Sequence, residues 1–399
     1  MTPPALTGML TGVIAVVLTG CAVLSDGDPF GEVEPAVLDA AAFPGPVRGG
    51  GILRILAWPG AVEDGQTRPD VDWVTPFEQD TGCEVQADTF RSSDEGVQRF
   101  VAEDYDVILM SGDSTLRLIY GNVAAPLNLE LLPAVAGLTP DLLGAPWNSL
   151  AGRQYGVPSG RSAMLLQSRD AADVPTGGAA TLWRPPASLA GRLAVYDSPM
   201  TIADAAVYLM SARPELGISN PYALSSEQFS EALALIADQA PSVGYYWSDY
   251  VALAQRIVAG EIDLAMAVRG TDRITGADRV PTTFRLPATG STGWSDSWLI
   301  RNATPNPGCA YLWLDWVSTP AVNGAIAQWL GDAPAALAAC DEPALREHCR
   351  SYRARDTRFW SRVWYYTTPL TECLDGRTDV TCVPYAEWAV QWARIRAAN

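Results

Sequence analysis

Lysine is absent from the 399 residues, and all 27 basic side chains are arginine. Any mechanism that needs a lysine nucleophile or a Schiff base is thereby excluded. Histidine is nearly absent too. The one imidazole, His348, stands directly before Cys349, which leaves no Ser-His-Asp arrangement and little prospect of both side chains facing one metal ion. G-x-S-x-G, H-E-x-x-H, the P-loop and the dinucleotide fingerprint are all missing, so no recognisable enzyme motif remains. The 45 acidic residues supply many candidate carboxylate pairs for glycoside hydrolysis, but nothing singles out one pair. Excess positive charge is lacking as well. A net charge of -18 and a pI near 4.4 argue against nucleic acid, whose phosphates need a concentrated basic surface, and against attraction to anionic lipid.

Long hydrophobic runs are also missing. The apolar run at residues 8–20, GMLTGVIAVVLTG, is too short to span a bilayer comfortably and ends in Leu18-Thr19-Gly20-Cys21. That ending resembles the lipobox of bacterial lipoproteins. The resemblance implies cleavage before Cys21, lipidation of Cys21, and an anchor on the extracytoplasmic face of the cell membrane, in the periplasm or at the cell surface. One departure is that residues 1–7 carry no positive charge, although export signals usually begin with some.

What is present is globular in composition: 48% hydrophobic residues, 34 glycines and 30 prolines, with length enough for two or three compact units. Apart from Cys21, six of the 7 cysteines remain, an even number in an exported chain. That favours a disulfide framework over zinc, since no C-x-x-C occurs. Spacing pairs Cys340 with Cys349 and Cys373 with Cys382, which leaves Cys83 for Cys309.

Residues 21–49 are rich in Asp, Glu, Pro, Gly and Ala without a sustained period and suit a tether. After Gly51, ILRILAW has the pattern of a buried strand, VDWVTPFEQDTG that of a helix closed by glycine, and CEVQADTF that of an alternating strand. Another helix around residues 94–102 leads to the apolar strand YDVILMS. Strands alternating with helices predict a mostly parallel sheet, with ligands at the carboxyl ends of its strands. RQYGVPSG and TGWSDSWLIRN suggest two crossings between lobes. In WSDYVALAQRIVAGE, Ser248 is a candidate cap for a helix ending near Gly260.

The order of these motifs resembles the extracellular solute-binding proteins of ABC importers, in particular the spermidine/putrescine-binding branch. LRILAW, FEQDTGCEV, YDVILMSGD, GRQYGVPSG, LWRPPASLAGRLAVYDSP, AGEIDLAMAVRG and LPATGSTGWSDSWLI carry the likeness across residues 50–335. It implies an α/β fold of the type II periplasmic-binding-protein kind, two lobes joined by two hinge crossings. Lobe 1 would comprise residues 50–157 and 299–399, including the disulfide-rich tail, and lobe 2 residues 158–298, with 1–20 as lipoprotein signal peptide. It also implies a binding role without catalysis, cofactor or metal. A monomer would capture a small amine-bearing solute and deliver it to a permease driven by a cytoplasmic ATPase.

By position, the resemblance assigns Trp58, Ser111, Asp197, Trp294 and Asp296 to the ligand. An ammonium gains from an aromatic face and from a carboxylate, more so when both are buried. Asp113 and Arg161 stand where the polyamine binders usually carry aromatics, and Val268-Arg269-Gly270 stands where they have Trp-Asn-Gly. Two arginines would repel a dication, so a zwitterion becomes the competing ligand. Other roles suit some of these residues: Ser111 a helix cap, Asp113 the positive end of that helix's dipole, Asp197 a turn with Ser198-Pro199. The tail's aromatics, Trp360, Trp364, Tyr365, Tyr366, Trp388 and Trp392, are expected to pack onto the first lobe. A surface sensor or adaptor with the same fold is the alternative function.

Overall fold

The computed structural model describes residues 41–170, 178–276 and 278–398; the apolar run and Cys21 lie outside the described residues. The architecture starts from alternation along single strands. In Gly51–Ala57, Leu53, Ile55 and Ala57 join one core and Leu56 the opposite one, as a period of two requires. Val107–Met110 repeats this, with Val107 and Leu109 on one side and Ile108 and Met110 on the other. Strands buried on both faces need helices over both. The helices Val74–Thr81 and Pro307–Ser318 supply Phe77 and Trp313 to one face, while Ser93–Ala102 and Gly112–Tyr120 supply Phe100 and Leu116 to the other.

The first sheet runs in the order Cys83–Thr89, Gly51–Ala57, Val107–Met110, Ser297–Ile300, Gly156–Pro158. Its first three strands are parallel and Ser297–Ile300 opposes both of its neighbours. The second sheet orders Val243–Trp247, Leu193–Tyr196, Leu264–Ala267, Leu165–Arg169 and Thr282–Arg285. It shares a core with the helices Thr201–Ala212, Ser226–Gln239 and Tyr250–Val258. A third sheet joins Ala333–Pro334, Gly160–Ala163, Ser291–Trp294 and Val363–Tyr365. The chain passes through it from Pro158 to Leu165 and back again from Trp294 to Ser297.

Val363–Tyr365 lies parallel to Ser291–Trp294, and beyond it the tail departs from the expected packing on the first lobe. Tyr366, Val383, Tyr385, Trp388 and Trp392 join the core of the second sheet. Trp388 lies 5.6 Å from the Phe229 ring and Trp392 5.9 Å from Tyr246, so the apolar side of the last helix, Tyr385–Ala398, finds its complement on the second unit. Its start also touches the first unit, where the Tyr385 hydroxyl donates to Asp94 Oδ1 at 3.3 Å. Local ends follow side-chain chemistry. Ser92 accepts from the Glu95 amide at 3.2 Å and Gly82 closes its helix with φ 69°. Asp249, not Ser248, caps Tyr250–Val258 by accepting from the Val251 amide at 2.8 Å.

Three disulfides link Cys83 to Cys309, Cys340 to Cys349 and Cys373 to Cys382. The first joins the start of a strand to a helix 226 positions later in the chain. Among the described residues, no helix is long and apolar enough to cross a membrane.

Candidate functional site

The three larger sheets all contribute to a cavity of about 220 Å³, and its wall is built mainly from strand ends. Trp58 follows Gly51–Ala57, Ser111 follows Val107–Met110, and Tyr196 and Trp247 end two strands of the second sheet. Carboxyl ends of parallel strands are where side chains can converge without breaking ladder hydrogen bonds. The third sheet adds Ser162 and Trp294, the link after it adds Asp296, and Tyr366 arrives from the tail. Gly331 and Asp332 enter from the end of the helix Pro320–Leu330.

Asp296 accepts a short hydrogen bond from the Ser111 hydroxyl. Burial pushes its carboxyl up to about 6, and the Ser111 bond pulls the other way. Asp332 is pushed to about 7, first by burial and then by the negative charge of Asp296, with Ser162 and Arg273 countering. Two buried carboxyls in one enclosed space, the charge of Asp296 raising Asp332, can accept positive charge. The rest of the wall is largely aromatic: Trp58, Tyr196, Trp247, Tyr250, Trp294 and Tyr366. Trp294 lies 6.2 Å from Tyr366, ring to ring, at 31°. Burial raises both the Tyr196 and Tyr366 phenols, which keeps them protonated. Such a wall offers π faces and hydroxyls to a cation.

Four of the eight residues read from the sequence as ligand-binding line the cavity: Trp58, Ser111, Trp294 and Asp296. Asp113 does not reach it. It is 4% exposed, its Oδ1 accepts from the Ser93 hydroxyl at 3.0 Å, and burial pushes it to about 7. Its negative charge still contributes to the environment of Tyr196. Arg161 is turned away. Its guanidinium lies 4.4 Å from the Trp360 ring centroid and donates to the Ala354 carbonyl at 2.9 Å, because alternation along Gly160–Ala163 gives the cavity face to Ser162. Asp197 is held by the tail, accepting from Trp392 Nε1 at 3.0 Å and Arg396 Nε at 2.9 Å. Arg269 lies 5.5 Å from the Phe284 ring centroid and 3.9 Å from Asp272, also outside the cavity.

Asp332, Tyr196, Trp247, Tyr250, Ser162 and Tyr366 were not legible as site residues. For Tyr196 a signal existed, since consecutive residues of a strand face opposite ways and a site at Asp197 competes with one at Tyr196. For Asp332 there was none beyond Gly331, a helix-ending glycine with φ 87°. With both arginines directed elsewhere, no arginine lines the cavity among the described residues, and the charge argument for a zwitterion loses its basis.

A family model described as bacterial extracellular solute-binding protein matches residues 72–348. Spermidine/putrescine-binding periplasmic protein 1 of Haemophilus influenzae is 22% identical over 317 residues, covering 78% of this chain and 79% of that protein. The substrate-binding protein PotD of a spermidine/putrescine ABC transporter from Streptococcus pneumoniae, solved with calcium and HEPES, superimposes with a TM-score of 0.66 at 15% identity. That match covers 87% of this chain and 100% of the other. The TpPotD lipoprotein of Treponema pallidum gives 0.63 at 14% identity, over 87% and 98%. These two structures share the fold.

Proposed function

The chain belongs to the bacterial extracellular solute-binding proteins, and from that premise we propose that it is the binding component of an ABC importer for a small amine-bearing cation. The observation that carries this reading is the cavity itself, with Asp296 and Asp332 inside an aromatic wall that contains no arginine. A primary ammonium can donate to a carboxylate while its alkyl chain lies against tryptophan. Trp58 and Trp294 serve as stacking walls and Asp296 and Asp332 as anionic anchors, with Ser111 orienting Asp296. Asp113 is a background charge in this reading, and Asp197, Arg161 and Arg269 take no part in contact.

The units around the first and second sheets act as lobes that close on the solute. Ligand contacts come from both, so the full set exists only when they are together, and binding shifts the population toward that state. A lipid on Cys21 would hold the body near its permease; the expected tether to residue 49 is too long, because Phe43 and Val47 already pack on the first unit's core, with Phe43 5.4 Å from the Tyr311 ring. The lipoprotein relative of Treponema pallidum supports that arrangement by analogy.

Isothermal titration of the unlipidated body tests the reading, with putrescine, spermidine, n-butylamine and 4-aminobutyrate as probes. Putrescine or spermidine should bind, and Asp296→Asn should weaken binding by about tenfold to a hundredfold, the loss of a charge-assisted contact. Binding of 4-aminobutyrate in preference to both diamines would refute the cation reading and leave the fold assignment intact.

A further inference from the structure

The turn that presents Asp332 is gripped from two sides by residues outside the cavity wall. Arg273 belongs to the short helix Asp272–Thr275, which packs against Tyr250–Val258 on the second unit. Its guanidinium reaches the end of Pro320–Leu330 on the first unit. Nη1 donates to the Trp329 carbonyl at 2.7 Å and Nη2 to that of Gln328. Those carbonyls lie in the last helical turn, where partners within the helix run out and the dipole favours a cation. Gly331 then turns the chain, the Asp332 amide donates back to Ala327 at 2.9 Å, and Asp332 enters the cavity.

The space around this turn is tight. A Cβ on Gly331 would stand 3.0 Å from the Tyr352 hydroxyl and 3.4 Å from Arg273 Nη2. On the other side, His348 Nε2 donates to the Asp332 carbonyl at 2.7 Å. A carbonyl can only accept, so the proton resides on Nε2. His348 sits in the helix Arg346–Ser351, pinned by the Cys340–Cys349 bridge and packed 4.3 Å from the Tyr352 ring.

We propose that Arg273 and His348 are positioning residues for Asp332, gripping its turn from the second unit and from the disulfide-closed segment Cys340–Cys349, so that this carboxylate is aligned for a cationic ligand only while the two units are together. The inference rests on the amine reading of the cavity. Separating the units breaks both Arg273 bonds and loosens the turn that carries a ligand contact. Ligand held at Asp332 and the closed state therefore stabilise each other, as linkage requires.

Stopped-flow tryptophan fluorescence with putrescine tests this, because Trp58, Trp247 and Trp294 line the cavity. Arg273→Ala should raise the dissociation rate about tenfold, the scale of one charge-assisted contact, with little change in association. Arg273→Lys should recover part of the loss. His348→Ala should act in the same direction, and His348→Gln, whose amide can donate to the same carbonyl, should recover. In an Asp332→Asn background neither alanine change should weaken binding further, since both act through that carboxylate. Dissociation rates equal to the parent's, or effects fully additive with Asp332→Asn, overturn the proposal. If the parent takes up no putrescine, the amine reading fails and the grip is read by small-angle scattering of the ligand-free chain. Arg273→Ala should then expand the particle, and equal radii of gyration overturn the proposal.

Discussion

Asp296 and Asp332 carry the cost of burying acidic side chains. Their carboxyls stand at about 6 and about 7 against an ordinary 3.8, and the buried Asp113 and Asp204 are each pushed to about 7. Burial comes first among the causes for all four. A carboxyl raised in the folded state contributes stability that is complete below its unfolded value and is lost as pH rises through the folded one. The ligand-free protein should therefore melt at a higher temperature at pH 5 than at pH 8. Affinity for a diamine should move the opposite way, rising as Asp296 and Asp332 ionise. Melting curves and titrations at pH 5, 6, 7 and 8 check both directions. Asp332→Asn should reduce the slope of the ligand-free melting curve while weakening diamine binding; an unchanged slope would mean that Asp332 is already ionised across this range. Trp294 and Asp296 could be read from GSTGWSDSW through its resemblance to the Trp-x-Asp of the polyamine binders, and both line the cavity. Asp332 could not, since the carboxylate and aromatics it meets in the cavity, Asp296, Trp58 and Trp294, lie far away in sequence.

The last helix shows how an element can be legible while its destination is not. YAEWAVQWARIRAAN predicts an amphipathic helix, and Tyr385–Ala398 is a helix that buries Tyr385, Trp388 and Trp392. Which unit it covers depends on Phe229, Tyr246 and Asp197, residues well over a hundred positions earlier. Trp388, fully buried at 0% exposure, should cost about 3–5 kcal/mol when changed to alanine, the range for deleting a core aromatic. Chemical denaturation measures that loss. A loss under 1 kcal/mol would mean that the tail is not integral to the second unit's core. The Asp249 cap carries a similar lesson in miniature. Ser248 and Asp249 are both good caps, and the structure selects the one whose carboxylate meets the Val251 amide.

At the scale of the whole molecule, the net charge of -18 bears on association. A negative field raises the local concentration of a cationic solute, and salt screens it. The association rate for putrescine should fall by about tenfold between 10 mM and 200 mM salt, with a much smaller change in dissociation. Stopped-flow measurements across that range decide it, and a flat association rate would confine the electrostatics to the cavity.

The sequence by itself determined the α/β class, because strand alternation and helix periodicity are local properties that accumulate along the chain, and the order of its motifs carried the resemblance that implied a binding role. It also suggested the cysteine pairs through two short spacings, and the fold is what joins Cys83 to Cys309. Only the tertiary structure decided which charges face the ligand. Arg161 and Asp197 each lie one residue from a cavity-lining neighbour, Ser162 and Tyr196, and a single step along a strand reverses the direction of a side chain. Partners distant in sequence then hold each in place, Trp360 and the Ala354 carbonyl for Arg161, Trp392 and Arg396 for Asp197.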